Sequence, residues 1–455
     1  MSTQPSTRPT EPTEPTGPRA VPGLGKVRRA KLPTVAERVL PNGLRVVAVR
    51  RASVPVVHLR LRVPTAVRRD VDLARAGMLE HTMLLGTADR SQSEIADALQ
   101  RVGGSLRASS DADRLVLAGE SLAPGLPDLL GLLAEVLTSA SYPRAEVERE
   151  ATRLADLLGR RLSQPGVVAD ERWLRQVFGE HPYGREYPAP DEVLGVSASA
   201  LRSAHRRRLV PHGSLLVLVG DLSPARVLDR VEGAMAGWSA DGSPTTVPKV
   251  RRFTPGALQL VDRPGAVQSN LRVGGFALPR NDPDHAAQEL ANAIFAGPFV
   301  SRLTQNIRED KGYTYSPRSS LHHNARASFA LLQADVATEV TAPALVEVGY
   351  ELGRIASLPP SADEVESMAQ HLVGVLALST STQAGLASTL SVLLAEGLDV
   401  DWLREHPQRL LKVTPEQVHE VASRILAPAT RATTVVGDAS AVGDSLRALG
   451  PVELS

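Results

Sequence analysis

Two copies of one pattern constrain this chain more than any other feature. Leu215-Leu216-Val217-Leu218-Val219-Gly220-Asp221 and Ala432-Thr433-Thr434-Val435-Val436-Gly437-Asp438 are apolar runs that stop at Gly-Asp, as buried strands do. Each follows a similar segment, Val196–Leu201 in one copy and Val413–Val418 in the other, that reads as a helix N-cap and first turn. A unit repeated once over 455 residues predicts two related domains of about 200 residues each. Ser239 to Thr254 is rich in Ser, Thr, Pro and Gly and reads as the linker. The expected division is therefore a domain over 31–238, a linker over 239–254 and a second domain over 255–455. Residues 1–30, rich in Pro, Thr, Ser and Arg, read as a disordered tail.

The first copy opens with two β-rich runs, Leu44–Val49 and Val54–Val63, which predict paired strands entering a helix. That helix contains Gly77-Met78-Leu79-Glu80-His81. The inverted zinc motif H-x-x-E-H places two His ligands at i and i+4 on one helix face, with a Glu between them as general base. Here Glu80 and His81 occupy the last two places, and Gly77 replaces the first His. Glycine offers a metal nothing and costs a helix interior roughly 0.5–1 kcal/mol relative to Ala. Downstream, Ser91-x-x-Glu94 predicts a capping box before the stripe Ile95, Ala98, Leu99 and Val102, and Gly103-Gly104 ends that helix. Strand–strand–helix openings of this kind predict an α+β fold: two duplicated domains, each a mainly antiparallel sheet with helices packed on it.

Pro41-Asn42-Gly43-Leu44-x-Val46-Val47, a second strand, and a Glu80-His81 helix closing in Leu85-Gly86-Thr87 together resemble the pitrilysin/insulinase class of inverted-motif zinc metallopeptidases. The turn His181-Pro182-Tyr183-Gly184 matches a recurrent family turn and reads as structural. The resemblance covers roughly Val35 to Ala441. It implies a third zinc ligand, a Glu in a pattern like E-R-x-x-x-L-x-E. In Glu148-Arg149-Glu150-Ala151-Thr152-Arg153-Leu154-Ala155 that position falls on Ala155, with Asp156 or Glu150 as alternatives in a shifted register. A catalytic zinc needs three protein ligands and an open position, so the resemblance implies a degenerate site and no zinc bound by this chain. An Asn-Ala pair of active relatives is replaced by Arg107-Ala108.

The second copy resembles the family motif S-R-L-x-x-x-[IL]-R-E-x-x-G-x-x-Y-S through Ser301-Arg302-Leu303, Ile307-Arg308-Glu309, Gly312 and Tyr315-Ser316. The Gly-rich stretch that usually precedes it is thinned to Ala296-Gly297-Pro298-Phe299-Val300. The resemblance gives Arg308 and Tyr315, seven residues apart, the role of binding substrate and the developing oxyanion. The loss of one such donor typically lowers turnover about 10²–10³-fold. The chain thus resembles the Arg/Tyr subunit of bacterial heterodimeric members. Zinc and the general base would belong to a homologous partner, the substrate would be a peptide, and hydrolysis would need both chains. Two other readings remain: a scaffold with no part in hydrolysis, or a self-contained protease using Glu80, His81 and Asp156 or Glu150.

Composition narrows the rest. With 51 basic against 50 acidic residues the net charge is +1, and no general field favours nucleic acid. The absence of cysteine excludes disulfides, thiol catalysis and Cys-based metal sites. No apolar run approaches the 18 or so residues of a membrane span and none reads as a secretory signal, so a cytoplasmic location is expected. The bias toward Arg, Ala, Leu, Val and Gly points to a GC-rich bacterial genome.

Overall fold

A computed structural model describes residues 34–239 and 242–454; the tail expected over 1–30 lies outside them. The first half begins with β1 (Thr34–Val39), β2 (Arg45–Arg50), β3 (Val56–Pro64), α1 (Asp70–Thr82) and α2 (Gln92–Arg101). It continues through β4 (Ser105–Ser110), β5 (Arg114–Leu122), α3 (Leu126–Ser139), α4 (Arg144–Leu162) and α5 (Pro165–Phe178). It closes with α6 (Pro190–Leu194), α7 (Ala198–Arg208), β6 (Leu215–Gly220) and α8 (Pro224–Met235). The second half starts with β7 (Leu258–Asp262), β8 (Gln268–Ala277), α9 (His285–Ala296), β9 (Arg318–His323) and β10 (Ser328–Ala337). Then come α10 (Thr341–Ser357), α11 (Ala362–Ser379), α12 (Gln383–Ala395), α13 (Trp402–Leu410) and α14 (Pro415–Ile425). It ends with β11 (Ala432–Gly437), α15 (Ala439–Arg447) and β12 (Val452–Leu454).

The halves form two six-stranded sheets, ordered β1-β2-β6-β3-β5-β4 and β12-β7-β11-β8-β10-β9. The repeated runs become the interior strands β6 and β11. Each pairs parallel with one neighbour (β2 or β7) and antiparallel with the other (β3 or β8). The edges differ, since β1 runs antiparallel to β2 whereas β12 runs parallel to β7. One expectation is corrected. β2 and β3 do not pair with each other, because β6 lies hydrogen-bonded between them. β6 is buried along its whole length, and only an interior slot covered on both faces suits such a run.

Local signals act as the sequence reads. Ser91 and Glu94 form the capping box of α2, Gly103 follows its C-cap at φ +57°, and Ser197 and Thr414 cap α7 and α14. In the family turn, the Tyr183 hydroxyl donates to Asp113 Oδ1 at 2.6 Å and accepts from the Arg326 amide at 3.1 Å.

The two halves exchange cover. Along β2 and β6, Val46, Ala48, Leu216 and Leu218 face the core of the first half. The alternate residues Val47, Val49, Leu215, Val217 and Val219 pack against Leu386, Ala387, Leu390 and Leu394 of α12, a helix of the second half. This is the period of two that a pleated strand imposes. Reciprocally, Trp173 and Val177 of α5 pack on Phe329, Leu331 and Ala432 of the second sheet. The Trp173 indole donates to the Ala432 carbonyl at 3.2 Å. Gly274 makes this approach possible, since a Cβ there would lie 2.6 Å from the Trp173 ring. Polar ties follow the same paths: Arg51 donates to the Thr380 carbonyl at 2.8 Å and Gln333 to Asp170 at 2.8 Å. Residues 242–254 carry no helix or strand, yet Val247 is buried against α5.

Candidate functional site

α1 is held by Met78, Leu79 and Met83, all buried in the first core, which leaves the face bearing Gly77, Glu80 and His81 half-exposed. A Cβ built on Gly77 meets nothing within 4 Å, so no close packing demands glycine here. Glu80 is already engaged: its Oε2 accepts from the Ser110 amide at 2.8 Å and the Ser110 hydroxyl at 2.9 Å. Ser110 ends the edge strand β4, and this anchoring role has no recognised sequence signal.

The carboxylate that meets His81 comes from Glu150. Its Oε1 lies 3.5 Å from His81 Nδ1, while Glu80 Oε1 lies 3.9 Å from Nε2. Arg153 steadies Glu150 from one turn further along α4, at 2.8 Å. Ala155 is buried. Five residues carry a helix about 140° round from its starting face, so Ala155 and Glu150 point different ways. The imidazole therefore stands between two carboxylates, one at each ring nitrogen. A zinc ion held by one nitrogen of His81 would have only one of these carboxylates on its side. Among the described residues, these three groups do not converge on a common point as a metal cluster would.

The second-half motif divides into supports and exposed groups. Arg302, buried, donates through Nε and Nη2 to Glu364 at 2.8 and 2.9 Å. Glu364 also forms the capping box of α11 with Ser361. The Arg302 pairing, with the Ser361 amide adding to it, holds the Glu364 carboxyl down at about 2. Arg302 thus pins the start of the motif to α11. Residues 304–310 are wound as a π-helix, a turn type frequent at functional sites. Asn306 anchors it by donating to Glu347 and Glu351 of α10 at 2.9 and 3.0 Å.

Arg308 emerges from that turn between two aromatic rings. Its guanidinium carbon lies 3.9 Å from the Phe299 centroid and 4.7 Å from that of Tyr315. Each contact is worth about 0.5–1 kcal/mol where exposed. Tyr315 is 80% exposed and Phe299 63%, and the Tyr315 hydroxyl has no hydrogen-bond partner among the described residues. The structure thus brings Arg308 and Tyr315 together and adds Phe299, which sequence reasoning noted only as part of a thinned Gly-rich stretch. No hydrogen bond or ion pair among the described residues joins this group to α1 or α4. Nor is any helix among them long and apolar enough to cross a membrane.

A duplicated α+β molecule with an inverted zinc-peptidase frame in one half and an Arg–Tyr motif in the other defines a peptidase-like class. Residues 46–190 match the family model for insulinase, peptidase family M16, and residues 195–372 match that of the peptidase M16 inactive domain. An uncharacterized zinc protease of Streptomyces coelicolor is 24% identical over 416 residues, covering 89% of this chain and 88% of its own. The crystal structure of a peptidase M16 inactive domain from Pseudomonas fluorescens superposes with a TM-score of 0.82 at 20% identity, covering 89% of this chain and 98% of that one. A protease from Helicobacter pylori gives 0.81 at 18% identity, over 90% and 100%. The chain belongs to the insulinase-type M16 peptidase family.

Proposed function

We propose that this chain is the subunit of a two-chain zinc metalloendopeptidase that supplies no catalytic zinc. In this reading a homologous partner carries an intact H-x-x-E-H, its zinc and its general base. A peptide is held extended between the chains in a cytoplasmic enzyme, and precursor or leader peptides fit that geometry. Tyr315 donates its hydroxyl to the oxyanion and Arg308 grips a neighbouring substrate oxygen. The observation that carries the reading is a contrast of states. Glu80 and His81 are tied up by Ser110 and Glu150 beside Gly77, whereas Tyr315 projects with a free hydroxyl next to a braced Arg308. The open edge of β4, last in its sheet, suits addition of an extended peptide strand.

The test pairs the chain with a family member from its own genome that retains H-x-x-E-H, and follows cleavage of peptide substrates. Only the pair is expected to turn over. Tyr315→Phe should lower kcat by about 10²–10³-fold, and Arg308→Ala should chiefly raise KM. Full activity in both variants would reduce the chain to a scaffold. Cleavage by the isolated chain, abolished by His81→Ala, would instead make it a self-contained protease.

A further inference from the structure

The expectation of no metal on this chain rests on α1 and α4 alone, and a different cluster lies in the second half. His285 and Glu289 stand one turn apart on α9, at i and i+4, so both project from one face. His406 reaches the same point from α13: its Nε2 is 2.6 Å from Glu289 Oε2. His285 Nε2 lies 3.3 Å from Glu289 Oε1, an ion-pair distance without hydrogen-bond geometry. That buried nitrogen, on a residue only 2% exposed, has no hydrogen-bond partner. Among the described residues, these three side chains form the one group of His and carboxylate ligands whose donor atoms lie within 4.8 Å of one another.

A buried His–Glu–His bridge serving only to tie two helices would account for the His406 contact. It does not account for a second buried imidazole aimed at the same carboxylate from 3.3 Å without making a well-formed hydrogen bond to it. The surroundings are also those of a ligand site. Trp402, one turn before His406, stacks on its ring at 4.0 Å and 11°, fixing the ring plane as a positioning residue would. Glu289 and His406 open onto a cavity of about 320 Å³ walled by Leu393, Trp402 and Leu410, with Arg280 at its side. Arg280 is itself paired with Glu396 at 2.7 Å.

We propose that His285, Glu289 and His406 bind one divalent transition-metal ion, zinc foremost, which clamps α13 to α9 and keeps a fourth position open to the cavity. Two imidazoles and one carboxylate are a set that zinc accepts with three protein ligands and one exchangeable place, and without thiolates cobalt and nickel suit it as well. Zinc ligands at about 2.0–2.2 Å lie roughly 3.3 Å apart in a tetrahedron. Binding would therefore lengthen the 2.6 Å Glu289–His406 contact by about 0.7 Å and close the widest separation, at most 4.8 Å, by about 1.5 Å, both within the reach of side-chain rotation.

The test uses full-length protein stripped with a chelator and titrated with Co²⁺, which reports tetrahedral coordination by visible absorption. One equivalent should bind, Zn²⁺ should displace it, and Zn²⁺ should raise Tm by linkage. Glu289→Gln preserves shape, and together with His406→Ala it should weaken Co²⁺ affinity beyond the 10–100-fold that loss of an outer partner costs. His81→Ala should leave uptake unchanged. Absence of both the absorption band and the Tm shift in the unaltered chain overturns the proposal, whatever the fate of the variants. So does uptake that survives Glu289→Gln but vanishes in His81→Ala, which would move the ion to α1.

Discussion

Position 77 separates two explanations for a glycine inside a helix. A packing requirement would show as atoms crowding the missing Cβ, and there are none within 4 Å. Gly77→Ala should therefore stabilise the isolated chain by roughly 0.5–1 kcal/mol, seen as a small rise in Tm; a fall would show that the helix needs glycine's freedom. At this scale the sequence was only partly legible. The broken motif at Gly77, Glu80 and His81 and the pair Arg308–Tyr315 could be found by spacing alone. The partner of His81 could not, because Ala155, Asp156 and Glu150 lie on one helix and only the packing of α4 on α1 decides which carboxylate arrives. Ser110 and Phe299 were illegible for a related reason. A serine at a strand end and a phenylalanine in a loop acquire meaning only from what the fold sets opposite them.

Among the elements, the joint between the Arg–Tyr motif and α11 carries a pH signature. Glu364 sits near 2 when folded, below the ordinary carboxylate value of about 4.3. Its pairing therefore contributes stability that is present above roughly pH 5 and is lost as pH falls toward 2. Arg302→Ala should remove most of that part of the acid dependence, leaving the share of the Ser361 amide, measured as Tm between pH 3 and 7. A mutant curve parallel to the parent would show that the pair contributes nothing. The contact of α5 with β8 offers a steric counterpart. Gly274→Ala drives a methyl into Trp173, and overpacking of this kind costs about 1–3 kcal/mol, readable by chemical denaturation. Helix caps at Ser91, Ser197 and Thr414 were legible because capping is a local reaction between neighbours in sequence. Strand order was not, since β6 enters between β2 and β3 from more than 150 residues away.

For the whole molecule, repetition told the truth about duplication and little about dependence. Two copies of a pattern invite a picture of two self-sufficient domains. Yet the outer faces of β2 and β6 are covered by α12, and those of β10 and β11 by α5. The alternation of Val47, Val49, Val217 and Val219 with the inward residues was visible as unbroken apolar strands, but nothing in a strand names the distant helix that covers it. Residues 1–239 expressed alone should lack a cooperative unfolding transition, and co-expression with 240–455 should restore it; independent two-state melting of the first piece would contradict this. The exchange of helices also has a mechanical consequence. Parting the two sheets would require pulling α5 and α12 from apolar seats at once, so the two sheets should resist hinging apart. In the two-chain enzyme proposed above, the gape that admits a bulky guest would then form between the chains, at a seam that these helices do not stitch.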